Sequence, residues 1–140
     1  MNNAVSTAGF DANQRFWKAL TKDWPDGVID YRADGTITTA SPAACRILGW
    51  QEQEMRGNNI HEMLCSQSRK YYHEPDDCPL IHSHTPDKRY ESAWKKHDGA
   101  QVVVQYRIAE FNTADIFFDR MVVFQDTSHF KFQTYDKKKL

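Results

Sequence analysis

No apolar run in the 140-residue chain approaches the roughly 18 residues that a membrane-crossing helix needs, so no span is expected. Met1 to Gly9 holds no basic segment followed by an apolar one, so this stretch is not expected to be a secretory signal. Cysteine is scarce and odd in number. Cys45, Cys65 and Cys78 lie at irregular spacing, which excludes a disulfide framework and suits reduced thiols in the cytoplasm. Neither sign of charge is in excess, with 18 Lys+Arg against 19 Asp+Glu. Nothing in that balance favours wrapping nucleic acid, which calls for a clustered basic face. Lys137-Lys138-Lys139 is a short basic run that reads as a solvated chain end. A glycine-rich phosphate loop and internal repeats are also missing, and the chain end shows no heptads.

What is present suits one folded domain. The chain is 40% hydrophobic and 13% aromatic, enough to build a core rather than a disordered segment. Phe10 to Asp23 predicts an amphipathic helix with Phe10, Phe16, Trp17 and Leu20 as its apolar stripe, ended by Trp24-Pro25-Asp26-Gly27. Val28 to Tyr31 and Thr36 to Thr39 read as strands joined by the Asp34-Gly35 turn. Ser41-Pro42 opens a helix that Gly49 stops. A second helix lies near Glu52 to Met55, and a further turn or two spans Asn59 to Leu64. Ser66 to Asp77 reads as a long loop, and Cys78-Pro79 is expected to open a helix reaching His84 before Pro86. Tyr90 to Lys96, Gln101 to Ala109 and Phe117 to Gln125 then read as strands, the first two joined by Asp98-Gly99. Strands with helices segregated between them indicate an α+β domain.

Several short motifs in this order are familiar. Asp34-Gly35-Thr36-Ile37, Ser41-Pro42-Ala43-Ala44, Leu48-Gly49-Trp50 and Glu54-Met55-x-Gly57 resemble the first half of a PAS domain. His73, Cys78-Pro79-Leu80, Trp94, Asp98-Gly99 and Val122-Val123-Phe124-x-Asp126-Thr127-Ser128 resemble the second half, as found in bacterial sensor proteins. The resemblance runs from about Trp17 to Ser128, with Ser41 where the family often has Asn. It implies a five-stranded antiparallel sheet with short helices packed on one face. It also implies three segments: a flanking helix over 1–23, the domain over 24–128, and a C-terminal linker over 129–140.

A PAS fold encloses a cavity, and the resemblance assigns Tyr31, Ile47, Ile60, Leu64, Ile81, Trp94, Val104, Tyr106, Val122 and Phe124 to its lining. Flavin-binding members use a reactive Cys and polar ring contacts. Those positions fall here on Ile60, Trp94, Val104 and Phe124, so flavin is not expected. Haem-binding members supply an axial His from the helix after Cys78-Pro79, which makes His82 and His84 haem candidates. His73, Cys78, His82 and His84 are also ligand types for zinc, but His82 and His84 lie two apart on the expected helix and point apart. Cys78 is therefore expected to be a packed thiol and no metal ligand. Catalysis finds no nucleophile with a positioned base, and Asp76-Asp77 read as helix-start acids rather than a catalytic pair.

The resemblance thus implies a non-enzymatic sensory and interaction module, the parent being a histidine kinase of a two-component system or a cyclic-dinucleotide enzyme. A signal from a small apolar ligand would leave through Asp126 and Thr127 to an output domain, and the stripe on the flanking helix implies a homodimer. The alternatives are a haem or small-molecule redox or gas sensor, and a ligand-free dimerisation module.

Overall fold

The computed structural model describes residues 14–82, 85–111 and 118–127. Residues 14–21 are helical and are labelled α1. Five strands follow in the chain: β1 (Gly27–Tyr31), β2 (Ile37–Ala40), β3 (Tyr90–Lys95), β4 (Gln101–Glu110) and β5 (Arg120–Asp126). They form one antiparallel sheet in the order β2-β1-β5-β4-β3. Helices α2 (Pro42–Leu48), α3 (Glu52–Met55) and α4 (Ile60–Leu64) and a 3-10 turn over Pro75–Asp77 lie between β2 and β3. The α+β class and the five-stranded antiparallel sheet are as expected. Among the described residues, no helix is long and apolar enough to cross a membrane.

Local chemistry explains the boundaries. In the β1–β2 turn the Thr36 amide donates to Asp34 Oδ1 at 2.9 Å, beside Gly35 at φ +96°, a conformation that glycine adopts at no steric cost. Ser41 caps α2, its hydroxyl accepting from the Ala44 amide at 3.2 Å and from the Val28 amide at 2.9 Å. One side chain thus closes the helix start and ties it to β1.

Alternation along the strands sorts the side chains onto two faces. Ile29, Tyr31, Trp94, Val104, Tyr106, Val122 and Phe124 are buried on the inner face against Leu48, Met55, Ile60 and Leu64 from α2–α4. On the outer face Val28, Phe118 and Met121 form a smaller cluster, with Trp17 of α1 packed on it. The Trp17 ring meets Phe118 and Phe111 edge-on at 5.6 and 6.4 Å. The stripe expected on the flanking helix is therefore divided. Trp17 is covered by the sheet, while Phe16 and Leu20 are 62% and 42% exposed, and Phe10 lies outside the described residues.

Two expectations need correction. β5 begins at Arg120 rather than Phe117, as Phe118 and Asp119 precede the strand. Among the described residues no helix follows Cys78: the amides of Ile81 and His82 both bond to the Cys78 carbonyl, making one turn. The next carbonyls are taken from elsewhere, since Tyr31 Oη donates to Leu80 O at 2.7 Å and Arg120 Nη1 donates to the carbonyls of both Leu80 and Ile81. A continuing helix would have used those same acceptors.

Candidate functional site

The residues expected to line the cavity converge on the inner face. Trp94 from β3, Tyr106 from β4 and Phe124 from β5 form an aromatic row, with Trp94 ring centroids 4.8 Å from Phe124 and 5.4 Å from Tyr106. Ile60 and Leu64 of α4, Val104, Val122 and Tyr31 complete this core, and Ile47 and Ile81 lie half-buried at its margin. The indole Nε1 of Trp94 is buried there without a hydrogen-bond partner. Ile60, Trp94, Val104 and Phe124, the four apolar replacements for flavin contacts, all belong to this one core.

At one end of it lies a group of polar side chains. His61 and Cys65 are one helical turn apart, Cys65 being the residue that closes α4. That spacing puts both on one face of the helix. Cys65 then bridges to Trp94 of β3, and the Ser66 amide donates to the Ala93 carbonyl at 3.0 Å, which fixes the helix end to the sheet. The chain leaves over residues 66–74 and returns through the Pro75–Asp77 turn, whose end is capped by the Cys78 amide. This return carries His73 and Cys78 back onto His61 and Cys65. One potential ligand atom from each of the four lies within 4.8 Å of every other. The two sulfurs are 3.8 Å apart, and the imidazole centroids 5.1 Å.

Burial and charge mark this cluster. His61, Cys65 and Cys78 are buried and His73 is half-buried. The neighbouring Cys65 thiol holds Cys78 below the usual thiol range, with help from His61, the Leu80 amide and His73, while burial opposes it. Cys65, which keeps the proton between the two sulfurs, is pushed up by the same contact and by burial. Nδ1 of His73 lies 3.0 Å from the Tyr71 carbonyl. A proton there donates to that oxygen and leaves Nε2 as a lone pair. His73 Nε2 and His61 Nδ1 are both buried with no hydrogen-bond partner.

Of the candidate ligand types, His73 and Cys78 come together here, and His82 does not join them. His82 is exposed and faces Asp76 at 4.0 Å, and His84 lies outside the described residues. The missed partners, His61 and Cys65, carried a signal in their four-residue spacing on a helix.

The expected output residues close the sheet. Asp126 ends β5 opposite Val104 of β4. The amide and the hydroxyl of buried Thr127 both donate to the Val103 carbonyl at 2.9 Å. On the outer face, a groove of about 390 Å³ between α1 and the sheet is lined in part by Trp17, Thr21, Cys45 and Glu52, with the buried carboxyl of Asp30 in its wall.

A family model described as PAS fold matches residues 15–77. The PAS domain of an HTR-like protein from Haloarcula marismortui is 23% identical, with a TM-score of 0.63 over 84% of this chain and 99% of that one. A domain of the sensory box sensor histidine kinase/response regulator from Geobacter sulfurreducens is 17% identical, with a TM-score of 0.57 over 81% and 93%. The PAS domain of a LuxR-family transcriptional regulator from Burkholderia thailandensis, solved in complex with ethanol, is 14% identical, with a TM-score of 0.62 over 80% and 97%. No curated protein matches the sequence.

Proposed function

We propose that this chain, a domain of PAS fold, is a regulatory sensory and protein-interaction module of a cytoplasmic signalling protein, passing a signal from its inner face to an output domain. The observation that carries this reading is the position of β5. It is the central strand, with Val122 and Phe124 in the inner core and Met121 and Val123 in the outer cluster under Trp17. A ligand that repacks the Trp94–Phe124 contact moves a strand whose other face supports α1. The same strand ends at Asp126 and Thr127, so its displacement re-aims whatever follows.

A small apolar molecule is the ligand class that suits this lining. The ethanol complex of the Burkholderia relative is a precedent for a small occupant in the fold. The Geobacter relative supports a two-component setting. The outward Phe16 and Leu20 of α1 support a homodimer, since exposed apolar patches mark contact surfaces.

The test is Asp126→Ala in the chain joined to its native output domain. Losing a capping or turn contact costs about 0.5–2 kcal/mol, so the domain stays folded, while output ceases to follow the stimulus. Normal output from a folded variant would exclude this exit route.

A further inference from the structure

We propose that His61, Cys65, His73 and Cys78 form a tetrahedral site for one zinc ion, which staples the 66–77 loop to α4 and the sheet. The site rests on its own geometry and is independent of what the inner core binds. Four donors from two separate stretches, in the pattern His-x3-Cys-x7-His-x4-Cys, bring one potential ligand atom each within 4.8 Å of all the others. Two thiolates on a tetrahedral zinc, each about 2.3 Å from the metal, lie about 3.8 Å apart. Cys65 Sγ and Cys78 Sγ are 3.8 Å apart.

The second observation is the pair of orphaned nitrogens. His61 Nδ1 and His73 Nε2 are buried and bond to nothing, an arrangement native interiors avoid unless something supplies the missing partner. A metal supplies it for both at once. The Tyr71 carbonyl on His73 Nδ1 fixes the tautomer that a metal-binding imidazole needs.

Ligand chemistry selects the ion. Two sulfurs and two imidazoles exclude the hard cations magnesium and calcium, and a tetrahedral S2N2 set suits zinc. Charge balances as well: Zn2+ replaces two thiol protons, which leave to water, and the resulting site is neutral and tolerates burial. No electron transfer is involved.

The experiment uses the full chain, purified without chelator under reducing conditions. Elemental analysis is expected to give one zinc per chain. Metal-free protein titrated with Co2+ is expected to develop the intense visible bands of a tetrahedral cobalt–thiolate site, saturating at one equivalent. C65S and C78S lose the bands and bind zinc more weakly by more than the about 10–100-fold that losing a group which only orients a ligand costs. C45S and H82A retain both. Circular dichroism shows whether each variant folds, and the cobalt spectrum of the unsubstituted chain decides the question even if C65S and C78S do not. Absence of zinc together with a cobalt spectrum showing only weak octahedral bands would overturn the proposal. So would folded C65S or C78S protein that holds zinc as tightly as the unsubstituted chain.

Discussion

Replacing Asp30 by asparagine is expected to make the protein more stable above neutral pH and to flatten its pH dependence. Asp30 sits in β1 on the outer face, buried beneath the groove beside α1. Thr39 Oγ1 donates to its Oδ2 at 2.5 Å, while its Oδ1 has no partner. Burial pushes the carboxyl up from 3.8 to about 7; the Thr39 bond opposes the rise and the nearby Glu52 carboxylate adds to it. Glu52 is itself paired with Lys18 and Arg56, and Lys22 also lines the groove.

The folded value lies above the unfolded one, so the folded state holds this proton more tightly. Its contribution to stability is complete below pH 3.8, declines as pH rises, and is lost beyond about pH 7. At about 1.4 kcal/mol per pH unit, the interval corresponds to a loss of about 4 kcal/mol. Asparagine retains an oxygen for the Thr39 hydroxyl and cannot ionise. Urea unfolding followed by tryptophan fluorescence at pH 4.5, 6 and 8 measures the effect. Comparison of the two proteins cancels the other titrating groups. D30N should gain on the unsubstituted chain as pH rises, by up to about 4 kcal/mol between the ends of the interval. Parallel profiles would refute the claim that a buried Asp30 resists ionisation.

Two further substitutions probe packing and assembly. A Cβ at Gly27 would lie 2.3–2.7 Å from ring carbons of Phe124, so G27A should destabilise by about 1–3 kcal/mol in denaturant unfolding; an unchanged midpoint would show that the ring yields freely. F16D combined with L20D places charge on the exposed side of α1, and should convert a dimer to a monomer in light scattering without lowering the melting temperature. Unchanged mass would remove α1 from the interface.

The local elements were legible because their signals are local. Ser41 before Pro42, glycine at 35, 49 and 99, and strict alternation along Gln101–Glu110 each carry their own chemistry. The stretch after Cys78 was misread because its signal is ambiguous. An extended residue before proline, as Cys78 is at φ −74° and ψ 120°, fits both a helix cap and a plain turn. The decision lies in Tyr31 and Arg120, distant in sequence, which occupy the carbonyls a helix would need. The His–Cys cluster was half legible. His73 and Cys78 stood out as ligand types, but their partners depend on how the 66–77 loop returns along β3, which no periodicity encodes. Of the ten residues expected to line a cavity, eight are buried together in the inner core, and Ile47 and Ile81 pack half-buried against it, since apolar residues on one side of paired strands have only one place to go.

The pairing of the first strand with the last has a mechanical consequence. Gly27, where β1 begins, lies opposite Phe124 near the end of β5, and the two strands run antiparallel. The start of β1 and the end of β5 therefore lie side by side at the same end of the sheet. Force drawing those two points apart would peel the β1–β5 ladder open from the Gly27–Phe124 end, loading its hydrogen bonds one after another rather than together. Such a joint yields to a small pull and closes again by zipping, starting from the register still held at Tyr31–Arg120. Torque or tension carried by segments on either side would thus be felt first at the strand pair that bridges the domain's inner core and its outer helix.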